Sequence, residues 1–382
     1  MPHVPVLTPI AVRSSALLVL AMLSALLTAC GGAQDGATPP TAEQVVHLYN
    51  WSDYLAPDTL ERFEQTTGIR VVYDVFDSSE LLESKLLAGR SGYDVVVPTA
   101  PLMEAQIKAG VFRALDPAQL PNLANLDARL MQKVQTHDPG NRFGIPYLWG
   151  TTGIGFEHSA IVERMAAAPL DSWAILLDPE VVARFADCGV ALLDSPLEVD
   201  DAVRIYLGLD PNGEDEAGLA AVEQALTRVR PYVRYFSNTQ YINDLANGEI
   251  CLAMGWTGDV LQARDRAREA GRREEIRYLI PREGATLFFD MMGIPADAPH
   301  PANAHRLLDF LMAPQTIADI TNYTNFANAN AAATPFVDEV IRTDPTIYPP
   351  DAQLDLLAAD ANESDAYRRR LVRMWTRLKA RQ

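Results

Sequence analysis

Three carboxylates in this chain stand beside aromatic rings. Asp53 follows Trp51 and Ser52 and precedes Tyr54. Asp259 closes Trp256-Thr257-Gly258-Asp259, and Asp290 closes Leu287-Phe288-Phe289-Asp290. A carboxylate takes the charge of an organic cation, and ring faces take the cation's alkyl part. A buried ammonium costs several kcal/mol unless carboxylates and hydrogen bonds match it. A ligand with a cation at each end therefore needs acids at both ends of its site and rings over the methylenes between. The alternative reading of the same spacing is three unrelated caps and surface acids.

The elements around these residues place them at sheet ends. Val45-Val46-His47-Leu48 reads as a strand, and Pro57-Asp58-Thr59-Leu60-Glu61 as a helix start, with Pro in the first turn and acids near the positive end of the dipole. Trp51 to Tyr54 thus fall on a strand-to-helix loop, where ligands bind in α/β folds. Asp259 lies between a strand over Ile250–Trp256 and a helix over Val260–Ala270, and Asp290 lies within a strand over Leu287–Met292. Further strands are expected at Ile69–Phe76, Asp94–Pro98, Val190–Leu193 and Ile276–Ile280. Helices are expected after Ser78, over Met103–Ala109, Val199–Leu207, Ala217–Val229 and Tyr241–Ala246. Such alternation argues for α/β, with sheets covered by helices. No internal repeat is visible.

Tyr147 to Gly153, with two Gly and two Thr between apolar segments, suits a strand leaving one lobe for another. Gly153-Ile154-Gly155 begins a Gly-x-Gly, but His158 stands where a dinucleotide fingerprint needs Gly. The C-terminal segment carries an apolar stripe, Leu371, Met374, Trp375 and Leu378, opposite a run of Arg. A docked terminal helix with its basic face in water explains it; an anionic membrane surface is the alternative.

The N-terminus sets the compartment. Ala16–Leu27 is an apolar run with Arg13 before it, short for a membrane span and suited to a signal peptide. It ends in Leu27-Thr28-Ala29-Cys30-Gly31, the pattern of a bacterial lipoprotein signal. We expect residues 1–29 to be the signal, Cys30 to be lipidated, and 30–44 to be a flexible tether. Net charge is −18, which argues against nucleic acid as a partner. Cys188 and Cys251 remain, an even pair that suggests one disulfide in an exported chain, with two buried thiols as the alternative. Gly-x-Ser-x-Gly, His-Glu-x-x-His and P-loop motifs are absent and His numbers only 6, so catalysis, a cofactor and a metal site are not expected.

Long strings resemble the periplasmic putrescine-binding proteins of bacterial polyamine ABC transporters. They are YNWSDYLAPDTLERFEQTTGIRVVYDVFDSSELLESKLLAGRSGYDVVVP, TTGIGF, QYINDLANGEICLAMGWTGDV, ATLFFD, FANANAAATP and IYPP. The resemblance implies a two-lobed, type II-like periplasmic binding protein, each lobe a mixed sheet flanked by helices, with the ligand in the cleft and closure by a hinge. The lobes would be 45–148 with 273–325, and 149–272 with 326–382. It implies ligand contacts at Trp51, Ser52, Asp53, Tyr54, Thr99, Glu198, Trp256, Asp259, Phe288, Asp290 and the position of Phe326. Asp259 would pair with one ammonium, Asp53 and Asp290 would serve the other with Ser52 accepting a hydrogen bond, and Glu198 would act more remotely. Cys188 and Cys251 match the family's disulfide positions. Relatives carry Tyr where this chain has Phe326, Ser where it has Thr99, and smaller or more polar groups at Pro101; Ser195 replaces Ala. The implied partners are putrescine and an ABC permease, and the implied state is a monomer in the periplasm, membrane-tethered through Cys30. Spermidine, cadaverine or agmatine are the alternative ligands, and a sensory module is the alternative use of the same pocket.

Overall fold

The computed structural model describes residues 44–273, 275–354, 357–359 and 363–380. The expected signal, the expected Cys30 anchor and the expected tether up to residue 43 lie outside them. Residues from Gln44 onward form one compact unit.

Two mixed sheets share one strand. In the first, the order is β2 (Arg70–Phe76), β1 (Val45–Trp51), β3 (Val95–Val96), β9 (Thr286–Gly293) and β4 (Gly144–Glu157). β1 runs parallel to β2 and to β3, while β9 is antiparallel to β3 and β4. In the second, β4 continues to β7 (Leu252–Trp256), β5 (Val190–Leu192) and β6 (Tyr235–Phe236), with β8 (Ile276–Leu279) also on β4. Parallel neighbours need long crossovers, and helices supply them, covering the sheet faces. β1 is flanked on both sides, so Val45, Val46, Leu48 and Tyr49 are all buried; edge strand β2 exposes Arg70, Asp74 and Val75.

β4 is the crossover that the Gly/Thr-rich stretch suggested. Gly144 to Thr151 pair with β9 in the first sheet, and Thr152 to Phe156 pair with β7 in the second. All fourteen of its residues are buried. The strand changes sheet between Thr151 and Thr152. There Thr151 meets the Thr257 hydroxyl at 2.8 Å, and the Tyr278 hydroxyl donates to the Thr151 carbonyl at 2.7 Å. β8 joins the second sheet and β10 (Ala327–Asn328) pairs with Trp149 and Leu148 in the first. The β8 pairing, and that of Asn328 with Leu148, join segments drawn in different lobes from the sequence, because these strands follow their sheet partners on β4 rather than their chain neighbours.

The C-terminal helix Asp365–Lys379 buries Leu371, Met374, Trp375 and Leu378 as the stripe required. No helix among the described residues is long and apolar enough to cross a membrane. Cys188 and Cys251 are joined in a disulfide that ties the starts of β5 and β7. It closes a loop with a sequence separation of 63. On chain-entropy grounds it contributes about 4 kcal/mol. Replacing both cysteines by alanine is expected to lower the unfolding free energy by about that amount in a urea titration. A change under about 1 kcal/mol would mean that the sheet alone holds this junction.

Candidate functional site

A cavity lies where the loops of the two sheets face each other. Trp51, Ser52, Tyr54, Thr99, Glu198, Trp256, Asp259, Phe288, Asp290 and Phe326 all line it. Ten of the eleven sequence-predicted contacts are thus brought together from six separate stretches of chain. The exception is Asp53. It adopts φ 57, a left-handed conformation that Asp tolerates better than most residues, and its carboxylate accepts from Arg266 at 2.8 Å with its side chain 40% exposed.

The first wall grows from β1. Its ladder with β2 extends one step past the strand, Ser52 N–H donating to the Phe76 carbonyl at 3.0 Å. The Ser52 hydroxyl donates to the same carbonyl at 3.3 Å. The Trp51 ring packs on Phe76, centroids 4.4 Å apart. Tyr54 is buried, its carbonyl held by the Tyr147 hydroxyl at 2.7 Å. The Tyr54 hydroxyl donates to Asp290 Oδ2 at 2.6 Å.

Asp290 projects from β9, pinned beside Thr99 by a short antiparallel bridge and by the Met291 N–H to Pro98 carbonyl bond of 2.8 Å. It is buried, and the buried Trp51 Nε1 lies near enough to lower its proton affinity without meeting Oδ1 in good hydrogen-bond geometry. Burial pushes its carboxyl up to about 8, against the lowering effect of the Tyr54 hydrogen bond and with further raising from Glu198.

Asp259 comes from the other sheet. It sits in the first turn of the helix Thr257–Glu269, near the positive end of the dipole. Tyr241 donates to its Oδ2 at 2.8 Å and in turn accepts the Trp256 N–H at 3.2 Å. Burial nevertheless raises Asp259 to about 7. Glu198, in the first turn of the helix Pro196–Leu207, is a third acid of the cavity, partly buried. Thr152 donates to it at 2.5 Å, Thr286 at 3.2 Å and the Trp256 indole at 3.3 Å. Burial raises it too, with those three bonds opposing.

Phe326 closes the apolar wall, edge-on to Tyr54 at 4.9 Å and near Phe288 at 6.1 Å. It fits because position 258 is Gly: a Cβ there would come within 2.4 Å of the Phe326 ring. Among the described residues no Lys or Arg bonds to Asp259, Asp290 or Glu198. Three acids in an aromatic box without a basic partner form a receptor for an organic cation.

Comparison with known proteins agrees. The profile of the bacterial extracellular solute-binding proteins matches residues 58–349. The chain belongs to that family. This binding protein is 47% identical over 350 residues to the putrescine-binding periplasmic protein SpuD of Pseudomonas aeruginosa, covering 91% of this chain and 95% of the relative. It is 46% identical over 363 residues to the putrescine-binding periplasmic protein PotF of Escherichia coli, covering 94% and 97%. A solved structure from Listeria monocytogenes, ascribed to a spermidine/putrescine ABC transporter, superposes with a TM-score of 0.80 at 28% identity, covering 89% of this chain and all of that one. The fold is thus the two-lobed one that the resemblance implied.

Several residues of the binding protein's site gave no signal in its sequence. Tyr241 orients Asp259, and Thr152 and Thr286 orient Glu198. Phe76, Asp77, Asn238 and Ile242 are among the further lining residues. The Asn238 amide donates to the Asp77 carbonyl at 2.9 Å, joining the loops of the two sheets as Asp53 and Arg266 do. A hydroxyl on an interior helix face such as Tyr241's reads as core until its partner is known.

Proposed function

We propose that this chain is the solute-binding component of an ABC transporter and that its ligand is a short aliphatic diamine, putrescine. One observation carries the reading: buried Asp290 and Asp259, one from each sheet, enter a single aromatic cavity with no basic side chain among the described residues bonded to either. A dication with a short apolar linker meets both acids at once, and the rings of Trp51, Trp256, Phe288 and Phe326 cover its methylenes. The relatives named for putrescine binding support the same ligand. The chain binds and delivers; a permease takes the amine when the lobes open. The lobes divide in this reading at β4, with Asp290 on one and Asp259 on the other. Delivery from the periplasm, as a monomer tethered through Cys30, completes the proposal.

Glu198, a third cavity acid with raised proton affinity, favours a second ligand, the triamine spermidine. Calorimetric titration of the refolded, amine-stripped protein with putrescine, cadaverine, agmatine and spermidine decides between them. One-to-one binding tightest for putrescine is expected. Tightest binding of spermidine would assign Glu198 the third ammonium, and no binding of any would remove the amine reading. Uptake of labelled putrescine by a strain lacking the gene, unchanged from the parent, would favour a sensory role.

Asp53 is separable from the cavity acids. Its ion pair with Arg266 is half exposed, and such pairs contribute about 0–1 kcal/mol. If Asp53 acts only through that pair, Asp53→Asn and Arg266→Ala should weaken putrescine equally, by less than about fivefold. A loss near a hundredfold in Asp53→Asn alone would make it a direct ligand of the ammonium.

A further inference from the structure

At the opposite end of β1 from the amine cavity, two histidines converge on one buried aspartate. His47 lies on β1, Asp94 immediately before β3, and His300 immediately before the helix Pro301–Leu311. His47 Nδ1 is 3.2 Å and His300 Nδ1 3.1 Å from the same oxygen, Asp94 Oδ2. Asp94 is fully buried, while the His47 and His300 side chains are 29% and 18% exposed. One atom from each residue can be chosen so that all lie within 4.8 Å of one another. We propose that His47, Asp94 and His300 form a binding site for a divalent transition-metal ion of the zinc type, separate from the amine site.

Asp94 Oδ2 accepts the His47 backbone N–H at 2.9 Å, and Oδ1 accepts the His300 backbone N–H at 2.5 Å, so the carboxylate is held with Oδ2 facing both rings. Both Nδ1 atoms converge on Oδ2. With neither Nδ1 protonated, a cation between the two nitrogens and the oxygen accepts a lone pair from each. The spacing suits it: zinc binds His nitrogen and carboxylate oxygen at about 2.0–2.2 Å, which separates tetrahedral ligands by about 3.3 Å. Imidazole and carboxylate together suit zinc, nickel and copper rather than magnesium or calcium. Partial exposure of both rings gives an ion a route in and leaves room for water as the fourth ligand.

The backbone holds the three ligands in place before any metal arrives. The Asp94 N–H donates to the His47 carbonyl at 2.8 Å, so two adjacent strands fix the pair. His47 is four residues from Trp51, about 13 Å along an extended strand, so metal and amine occupy opposite ends of β1. The histidine spacing in the sequence gave no hint of this site, because its members come from three distant stretches.

Equilibrium dialysis of the chelator-stripped protein against Zn2+ tests the proposal. The expected result is one Zn2+ per chain, with affinity falling at least tenfold in His47→Ala and in His300→Ala. His137→Ala, which removes a histidine paired to Glu104, should bind as the parent does. Putrescine titration of each variant reports that the fold is intact, and its affinity should not move. The thermal midpoint of the parent should rise with Zn2+ and that of the double variant should not. Failure of the parent to bind Zn2+, or binding of equal stoichiometry and affinity by the folded double variant, would overturn the site.

Discussion

Asp290→Asn is expected to weaken putrescine binding by a factor of about 100 to 4,000, while the empty protein becomes no less stable. Removing one partner of a buried ion pair costs about 3–5 kcal/mol, because the other charge stays buried and uncompensated. Each 1.4 kcal/mol is about a factor of ten in affinity. The amide keeps the volume and can still accept the Tyr54 hydroxyl now 2.6 Å from Oδ2, so the cavity retains its shape. The empty site, however, gains from the change. Burial raises Asp290 to about 8, and an amide there removes the cost of ionising a buried acid that the empty site meets above that pH. Asp259→Asn should behave alike, since Tyr241 holds it from the second sheet as Tyr54 holds Asp290 from the first. Calorimetry gives the affinities and a thermal melt of the empty variants gives the stabilities. Unchanged affinity in both variants would place the ligand elsewhere. A large loss of stability in the empty variants would make the acids structural.

The two acids were legible in the sequence for a definite reason. Asp290 directly follows Phe289 within a strand and Asp259 follows Trp256 by three residues where a strand gives way to a helix, and an acid near a ring is local information. The same holds for the crossover: two Thr and two Gly between apolar runs marked β4, and Thr151 and Thr152 are where it changes sheets. The apolar stripe of the last helix and the paired cysteines were also local patterns. The supports of the site were not. Tyr241 meets Asp259 across 18 residues, and Thr152 and Thr286 reach Glu198 across 46 and 88. No periodicity records which hydroxyl a buried acid will find. The same blindness applied to Asp53, whose neighbours resemble those of the other acids. Its carboxylate bonds to Arg266 rather than lining the cavity because that guanidinium arrives from a helix 213 residues away. Strands β8 and β10 crossed the expected lobe boundary on similar grounds, since sheet membership is decided by pairing partners on β4. Resemblance to a family carried the list of cavity residues further than spacing could, and it carried nothing about the His47–Asp94–His300 cluster.

Alkaline pH should destabilise the empty protein and leave the loaded one untouched. Burial raises Asp259 to about 7 and Asp290 to about 8, with Glu198 moved in the same direction. In the unfolded chain an Asp titrates near 3.9. Between those limits the folded protein binds more protons than the unfolded one, so its stability falls as pH rises. The stability these acids contribute is complete below about pH 4 and is lost as pH passes through about 7 to 8. Bound putrescine reverses the preference, since its ammonium groups hold both carboxylates ionised. The melting midpoint of the empty protein should therefore drop steadily from about pH 5 to 8, and that of the saturated protein should stay level. Linkage requires the complementary effect on binding. Near pH 6 the acids enter the complex protonated and release about two protons, whereas near pH 8.5 they release few. Affinity should rise over that interval, and the calorimetric heat near pH 6 should depend on the ionisation enthalpy of the buffer. Heats independent of buffer, together with parallel melting curves for empty and loaded protein, would mean that Asp259 and Asp290 are already ionised before the amine arrives. The cavity would then contain water ordered enough to solvate two charges. Binding would gain its free energy from displacing that water, and Asp290→Asn would cost far less than a hundredfold.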